Sequence, residues 1–406
     1  MFKILSLDGG GSWALLQAMA LQHLYGDADG HTILSRFDLA AANSGGSIVL
    51  AGLVKGLRPS QIAAQFRTQA LREKIFVGRS ALARAASSVL APWDDEGKRR
   101  GLRALMNADR NPVGDLTLEE AAARIVLPPG RKAPRLMIAA YDVDRNRGRF
   151  FRSFDSELAT EQSRFSPTLA DAVHASSHAP VFYFARCAVV ADKERPADRR
   201  RFWDGALAGM NNPVLGAVIE TIANKWNGAE IAALSIGTGT AWRPVAPADQ
   251  AEDPRLLAPM ASLDLIDSAK RVASTILGDP PDNASRDAHF LIGAEGAQRL
   301  VRMSPVVRPE WNPSGRWEVN REVYRAIDAA DPLGALIQLL EMDMDAVGQA
   351  EVDLIFRLGM AWLGDRVPNQ GLMWNPTNGA VVRGNLHFRD ALAQWRQLDD
   401  WRPPIV

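Results

Sequence analysis

Cysteine is almost missing from this chain. A single residue, Cys187, stands among 406. That excludes an internal disulfide framework and a cysteine-rich metal site, and it leaves a small buried hydrophobe as the ordinary role for the thiol. Excess charge of either sign is also lacking. The 47 basic residues balance 47 acidic ones, and with no basic tail the composition gives no support to a nucleic-acid partner. No stretch approaches the roughly 18 to 20 apolar residues that a spanning helix needs. Met1–Leu7 is only a short apolar run before Asp8 and three glycines, so no signal peptide is read there. The expectation is a cytoplasmic chain without a transmembrane segment, with export lacking a cleavable signal left open.

Histidine is scarce as well, at six residues. Only His174 and His178 have ligand-like spacing. The intervening Ala175-Ser176-Ser177 lacks the glutamate of H-E-x-x-H, and no further carboxylate follows until Asp192. The expectation is no metal and no cofactor, with both histidines structural, or His178 lining a pocket, and a third catalytic group as the alternative for His178.

What is present is an alternation of short apolar runs and helical patterns. Ile4–Leu7, Phe37–Ala42, Arg135–Tyr141, Arg149–Phe154, Phe182–Val190, Arg201–Trp203 and Glu230–Ile236 read as strands. Trp13–Tyr25, Gly45–Lys55, Ser60–Arg72, Thr168–Ala175 and Pro213–Trp226 read as helices. Such alternation predicts an α/β fold, a three-layer sandwich around a largely parallel sheet. Val319–Arg325, Leu333–Met342 and Gln349–Leu363 look helical, and the last forty residues look irregular and Trp-bearing. The division expected is an α/β domain over 1–304 and a mostly helical extension over 305–406. No internal repeat or low-complexity tract is present.

Two segments carry the chemistry. Ala42-Asn43-Ser44-Gly45-Gly46 is a near match to G-x-S-x-G, with Ala42 and Gly46 as the small supports a strained serine needs where a strand turns sharply into a helix. Asp8-Gly9-Gly10-Gly11 follows the first strand and offers backbone N–H groups for a developing oxyanion. Two rival readings of that loop exist. Gly9, Gly11 and Ala14 fit the dinucleotide fingerprint G-x-G-x-x-A, and the loop also looks like the first phosphate loop of sugar-kinase and actin-like ATPases. The fingerprint wants an acidic residue at the end of the second strand, where this chain has its serine instead. The ATPase loop continues into a hairpin, whereas Ser12–Tyr25 has helical spacing. Asp204, between Phe202-Trp203 and Gly205-Ala206, reads by default as a turn residue or cap; beside Ser44 it becomes a candidate base.

Taken in order, these elements resemble the patatin-like phospholipase family. The resemblance runs from about Phe2 to Thr240: Leu7-Asp8-Gly9-Gly10-Gly11, the Ser44 elbow, Ala175-Ser176-Ser177-His178-Ala179-Pro180, Asp204-Gly205-Ala206 with Asn211-Asn212-Pro213, and Ser235-Ile236-Gly237-Thr238-Gly239-Thr240. It implies hydrolysis of lipid acyl esters, of phospholipase A or lysophospholipase type, by a serine–aspartate dyad without metal. By that resemblance Ser44 is the nucleophile, Asp204 the general base, and the Gly9, Gly10 and Gly11 amides the oxyanion donors. The partner implied is a lipid at a membrane surface. A different class, a catalytically weak lipid-binding or regulatory protein on the same scaffold, is discriminated by ester turnover; a phosphotransferase using the glycine loop stands further off.

The chain departs from the family's pattern in places. Trp13 and Ala14 stand where the family usually has arginine and glycine, Ala42 replaces the first elbow glycine, and His178 occupies a place that tends to be small. Ala81–Leu90 carries an apolar stripe that reads as core-facing, with an interfacial cap as the alternative. The runs Lys98-Arg99-Arg100 and Arg199-Arg200-Arg201 read as solvated faces.

Overall fold

Runs of small and branched apolar residues, too short for helices, make the central sheet. A computed structural model describes the chain except residues 79–93, 110, 159–163, 181–182, 185, 227, 229, 259–279, 294–297, 345, 375–380 and 401–406. The stripe Ala81–Leu90 therefore lies outside the described residues. The strands are β1 (Phe2–Leu7), β2 (Leu39–Ala42), β3 (Arg135–Asp142), β4 (Arg147–Arg152), β5 (Ala188–Ala191), β6 (Arg199–Asp204), β7 (Ile231–Ile236) and β8 (Leu300–Met303). Their order is β5-β6-β3-β2-β1-β7-β8, with β4 also paired to β3. Pairings β3-β2, β2-β1, β1-β7 and β7-β8 are parallel. Those involving β4, β5 and β6 are antiparallel. The mixed sheet is thus mostly parallel, flanked by helices.

Parallel strands covered on both faces read as continuous apolar runs, and Ile231-Ala232-Ala233-Leu234-Ser235-Ile236 is buried throughout. Alternate residues serve opposite faces. Leu5, Leu7, Ala40, Ala42, Leu234 and Ile236 join one core, which also takes Leu16, Leu50 and Val173. Those residues lie on α1 (Leu15–Tyr25), α2 (Ser44–Val54) and α4 (Leu169–Ser176), with α3 (Asp95–Asn107) between the last two in sequence. Phe2, Ile4, Leu39, Ala41 and Ala233 join the other core, with Val214, Val218, Ala284 and Ala288. These last four belong to α5 (Val214–Ala223) and α6 (Pro280–Ile292). Two cores on one sheet make the three layers.

The C-terminal part returns to the start of the chain. α7 (Gln349–Leu363) contributes Ile355 and Leu358 to the larger core. α8 (Phe388–Asp399) places Trp395 on Phe37, ring centroids 5.7 Å apart, and Trp395 Nε1 donates to the Tyr25 hydroxyl at 2.9 Å. Lys3 meets Asp399 at 3.0 Å. The last forty residues are therefore not irregular as expected: α8 has an amphipathic pattern whose Phe388, Leu392 and Trp395 face the core. Two further readings shift. The helix expected over Ser60–Arg72 breaks at Thr68 into Pro59–Arg67 and Gln69–Ile75. Of the strand expected over Phe182–Val190, Phe182 and Ala185 lie outside the described residues, and a strand is found at Ala188–Ala191. Among the described residues no helix is long and apolar enough to cross a membrane.

Candidate active site

Parallel strands end side by side, so loops that follow β1, β2 and β7 gather at one rim of the sheet. Asn43 leaves β2 extended, and Ser44 opens α2 with φ of 47°. A left-handed serine is uncommon and strained; here it turns the chain directly from strand to helix. The close approach requires Gly46, whose missing Cβ would lie 2.5 Å from the Leu7 carbonyl oxygen. Ala42 is fully buried beneath the turn.

Asp204 ends β6 and is almost fully buried. Its Oδ1 accepts from Asn43 Nδ2 at 2.9 Å and from the Ala206 N–H at 2.9 Å. Burial raises its carboxyl above the ordinary aspartate range, and hydrogen bonds from Ala206, the Ser44 hydroxyl and Asn43 oppose the rise. Nucleophile candidate and base candidate, 160 residues apart in the chain, thus lie together, the Ser44 hydroxyl favouring the ionised carboxyl.

The glycine loop lies against this pair. The Gly9 N–H donates to the Asn211 carbonyl oxygen at 2.9 Å. Gly10 and Gly11 donate to no acceptor among the described residues. Thr238 Oγ1, from the loop after β7, donates to the Gly9 carbonyl at 2.7 Å and fills the space a Gly10 side chain would need. Ser12 N–H donates to Met344 O at 2.9 Å, and Trp13 Nε1 reaches Asp343 O at 3.2 Å. Trp13 is therefore a buried strap to the C-terminal segment. Under the loop, Asp8 and Arg302 form an ion pair at 2.6 Å, both nearly inaccessible. Burial pushes Asp8 up to about 6 despite the guanidinium.

Several supporting residues escape sequence reasoning. Ser176 Oγ accepts the Ser44 N–H at 2.9 Å and sits 3.3 Å from Asn43 Oδ1. Gln17 Nε2 bridges the Asp8 and Ile236 carbonyls, at 2.9 Å each. No local motif marks them, because each acts through a contact made only when the chain is folded; Ser176 alone lay inside a quoted segment.

His178 is fully buried and stacks on Phe184, centroids 3.9 Å apart, while its carbonyl accepts the Asp204 N–H at 3.0 Å. It packs as a structural residue. The carboxylate missing from its sequence neighbourhood arrives from α3: Asp95, His174 and His178 form the group of metal-ligand type found among the described residues. The basic runs are not simply solvated. Lys98 is buried with its ammonium on the Ser177 carbonyl, Arg99 pairs with Asp171 at 2.7 Å, and Arg200 lies over Phe165. Helix and strand periodicity turns one member of each run inward, and long apolar stems tolerate it.

A strained serine at a strand–helix turn, a buried carboxylate beside it and uncommitted glycine amides thus lie together at one rim of the sheet. The chain matches the family model described as Patatin-like phospholipase over residues 5–218, more than half of its 406 residues; it belongs to the patatin-like phospholipase family. No curated protein matches it. Among solved structures, VipD from Legionella pneumophila aligns with a TM-score of 0.36 at 10% identity, over 75% of this chain and 61% of that one. The chain thus spans less than two thirds of that protein.

Proposed function

We propose that this chain is a lipid acyl hydrolase of phospholipase A or lysophospholipase type, acting through Ser44 and Asp204. The observation that carries the reading is the placement of the Ser44 hydroxyl beside a buried carboxylate whose proton affinity burial raises. A free aspartate is a weak base, and burial moves it toward a useful value. Asp204 accepts the Ser44 proton as Ser44 Oγ attacks the acyl carbonyl. The oxyanion takes hydrogen bonds from Gly10 and Gly11, since the Gly9 amide is already committed to Asn211. Asp204 then delivers its proton to the leaving alkoxide. Water, activated in turn by Asp204, releases the fatty acid from the acyl-enzyme. Asn43 and Asn211 hold the carboxylate and the loop in register. Family membership supports lipid acyl esters as the substrate class, met at a membrane surface.

The test is incubation of a mixed lipid extract with wild-type protein and Ser44→Ala, read by mass spectrometry, together with a fluorophosphonate probe. One label mapped to Ser44, and free fatty acid released only by wild type, are expected. A label elsewhere, or equal release by Ser44→Ala, refutes the dyad. Lipid binding without turnover by wild type would favour a regulatory protein on the same scaffold.

A further inference from the structure

Asp95 begins α3, His174 lies on α4, and His178 follows the end of α4; their potential ligand atoms all lie within 4.8 Å of one another. None takes part in the proposed acyl transfer. His174 Nε2 is 2.9 Å from Asp95 Oδ1, and His178 Nδ1 is 3.7 Å from the same oxygen.

The tautomer of His178 makes this more than proximity. Its Nε2 meets the Arg186 carbonyl oxygen at 2.8 Å. A carbonyl only accepts, so Nε2 carries the proton, and Nδ1 of the neutral ring is a bare lone pair. That lone pair is buried, has no hydrogen-bond partner among the described residues and lies 3.7 Å from a carboxylate oxygen. Two acceptors aimed at each other repel unless a cation lies between them. The Arg186 carbonyl is also the kind of second partner that metal-bound histidines keep on their other nitrogen.

We propose that His174 Nε2, His178 Nδ1 and Asp95 Oδ1 form a three-ligand site for a divalent transition-metal ion of the zinc class, completed by water. Two imidazoles and one carboxylate suit zinc or cobalt rather than magnesium or calcium. Ligand bonds of about 2.0–2.2 Å in a tetrahedron put donor atoms ~3.3 Å apart, and the observed 2.9 and 3.7 Å bracket that spacing. The Asp95 side chain is 45% exposed and provides the entry. Lys98, with its ammonium on the Ser177 carbonyl, is a positive charge near the site and lowers its affinity for a cation. The ion lies outside the acyl-transfer path. Its consequence is positional: the clamped segment contains Ser176, which holds the Ser44 N–H, and the His178 carbonyl, which holds the Asp204 N–H.

The test uses the full chain with Cys187→Ser, which removes its one thiol. The protein is stripped with a chelator and titrated with Co2+, then Zn2+. One equivalent of Co2+ with visible d–d absorption, displaced by Zn2+, is expected, with a melting temperature raised by Zn2+. Asp95→Asn in the same background weakens Co2+ binding at least about tenfold, the lower range for loss of even an outer-sphere partner, and abolishes the zinc-dependent rise. Its half-exposed side chain makes a fold check by circular dichroism straightforward, and His178→Gln is the companion variant. No stoichiometric ion, or Co2+ binding by folded Asp95→Asn equal to that of its parent, overturns the proposal. Neither outcome bears on labelling of Ser44, so this site and the dyad fail independently.

Discussion

Replacing Asp204 by asparagine keeps the shape of the side chain and removes the proton acceptor. The Oδ1 of asparagine still accepts from Asn43 Nδ2 and the Ala206 N–H, each at 2.9 Å in the parent. The position that meets the Ser44 hydroxyl then carries an amide or a neutral oxygen, neither of which takes a proton. General-base assistance contributes about 10²–10⁴ in rate, so kcat should fall by that factor, about 2.7–5.4 kcal/mol on the barrier. KM for a soluble short-chain ester should change little, because the lost interaction is with the enzyme's own serine. Stability should not fall. A carboxyl raised by burial contributes its stability when protonated, below its unfolded pKa, and that contribution is lost as pH rises through the folded value. At any pH above that folded value the wild type carries a buried charge that the variant lacks, and there the variant should melt at an equal or higher temperature. Steady-state kinetics and differential scanning calorimetry read both effects. A kcat within tenfold of wild type, or a clear drop in melting temperature, refutes the reasoning.

The same raised carboxyl sets a pH dependence: the acidic limb of kcat/KM should lie above the ordinary aspartate value and report ionisation of Asp204 in the free enzyme; a limb at the ordinary value would mean another base. Gly10→Ala drives a methyl into Thr238, and displacing one oxyanion donor should cost about 10²–10³ in kcat with the fold retained by circular dichroism; wild-type turnover would remove Gly10 from the oxyanion site. Trp395→Ala empties a buried space against Phe37 and Tyr25 and should cost about 3–5 kcal/mol in denaturant unfolding; a loss under 1 kcal/mol would show that α8 contributes little to the core.

The sequence by itself determined the layers and marked the two candidate reacting groups. Short continuous apolar runs mark β1 and β2, and longer apolar runs bounded by turn residues mark α1 and α2, because burial against the sheet is a local constraint on every residue of the run. Ser44 and Gly46 are legible for the same reason: a strained turn between strand and helix tolerates few residue types at fixed spacing. Asp204 was legible only beside Ser44, since an aspartate before glycine is otherwise a turn. Tertiary structure decided the rest. It committed the Gly9 amide to Asn211, set Arg302 against Asp8 across almost 300 residues, gave the Ser44 N–H to Ser176, and brought Asp95 to His174 and His178. It also joined the final helix to Tyr25 of α1 and Lys3 of β1 through Trp395 and Asp399. Each of these is a contact between single polar groups far apart in the chain. Such a contact imposes no period and no local spacing, so its energy leaves no pattern until folding brings the partners within reach of a hydrogen bond.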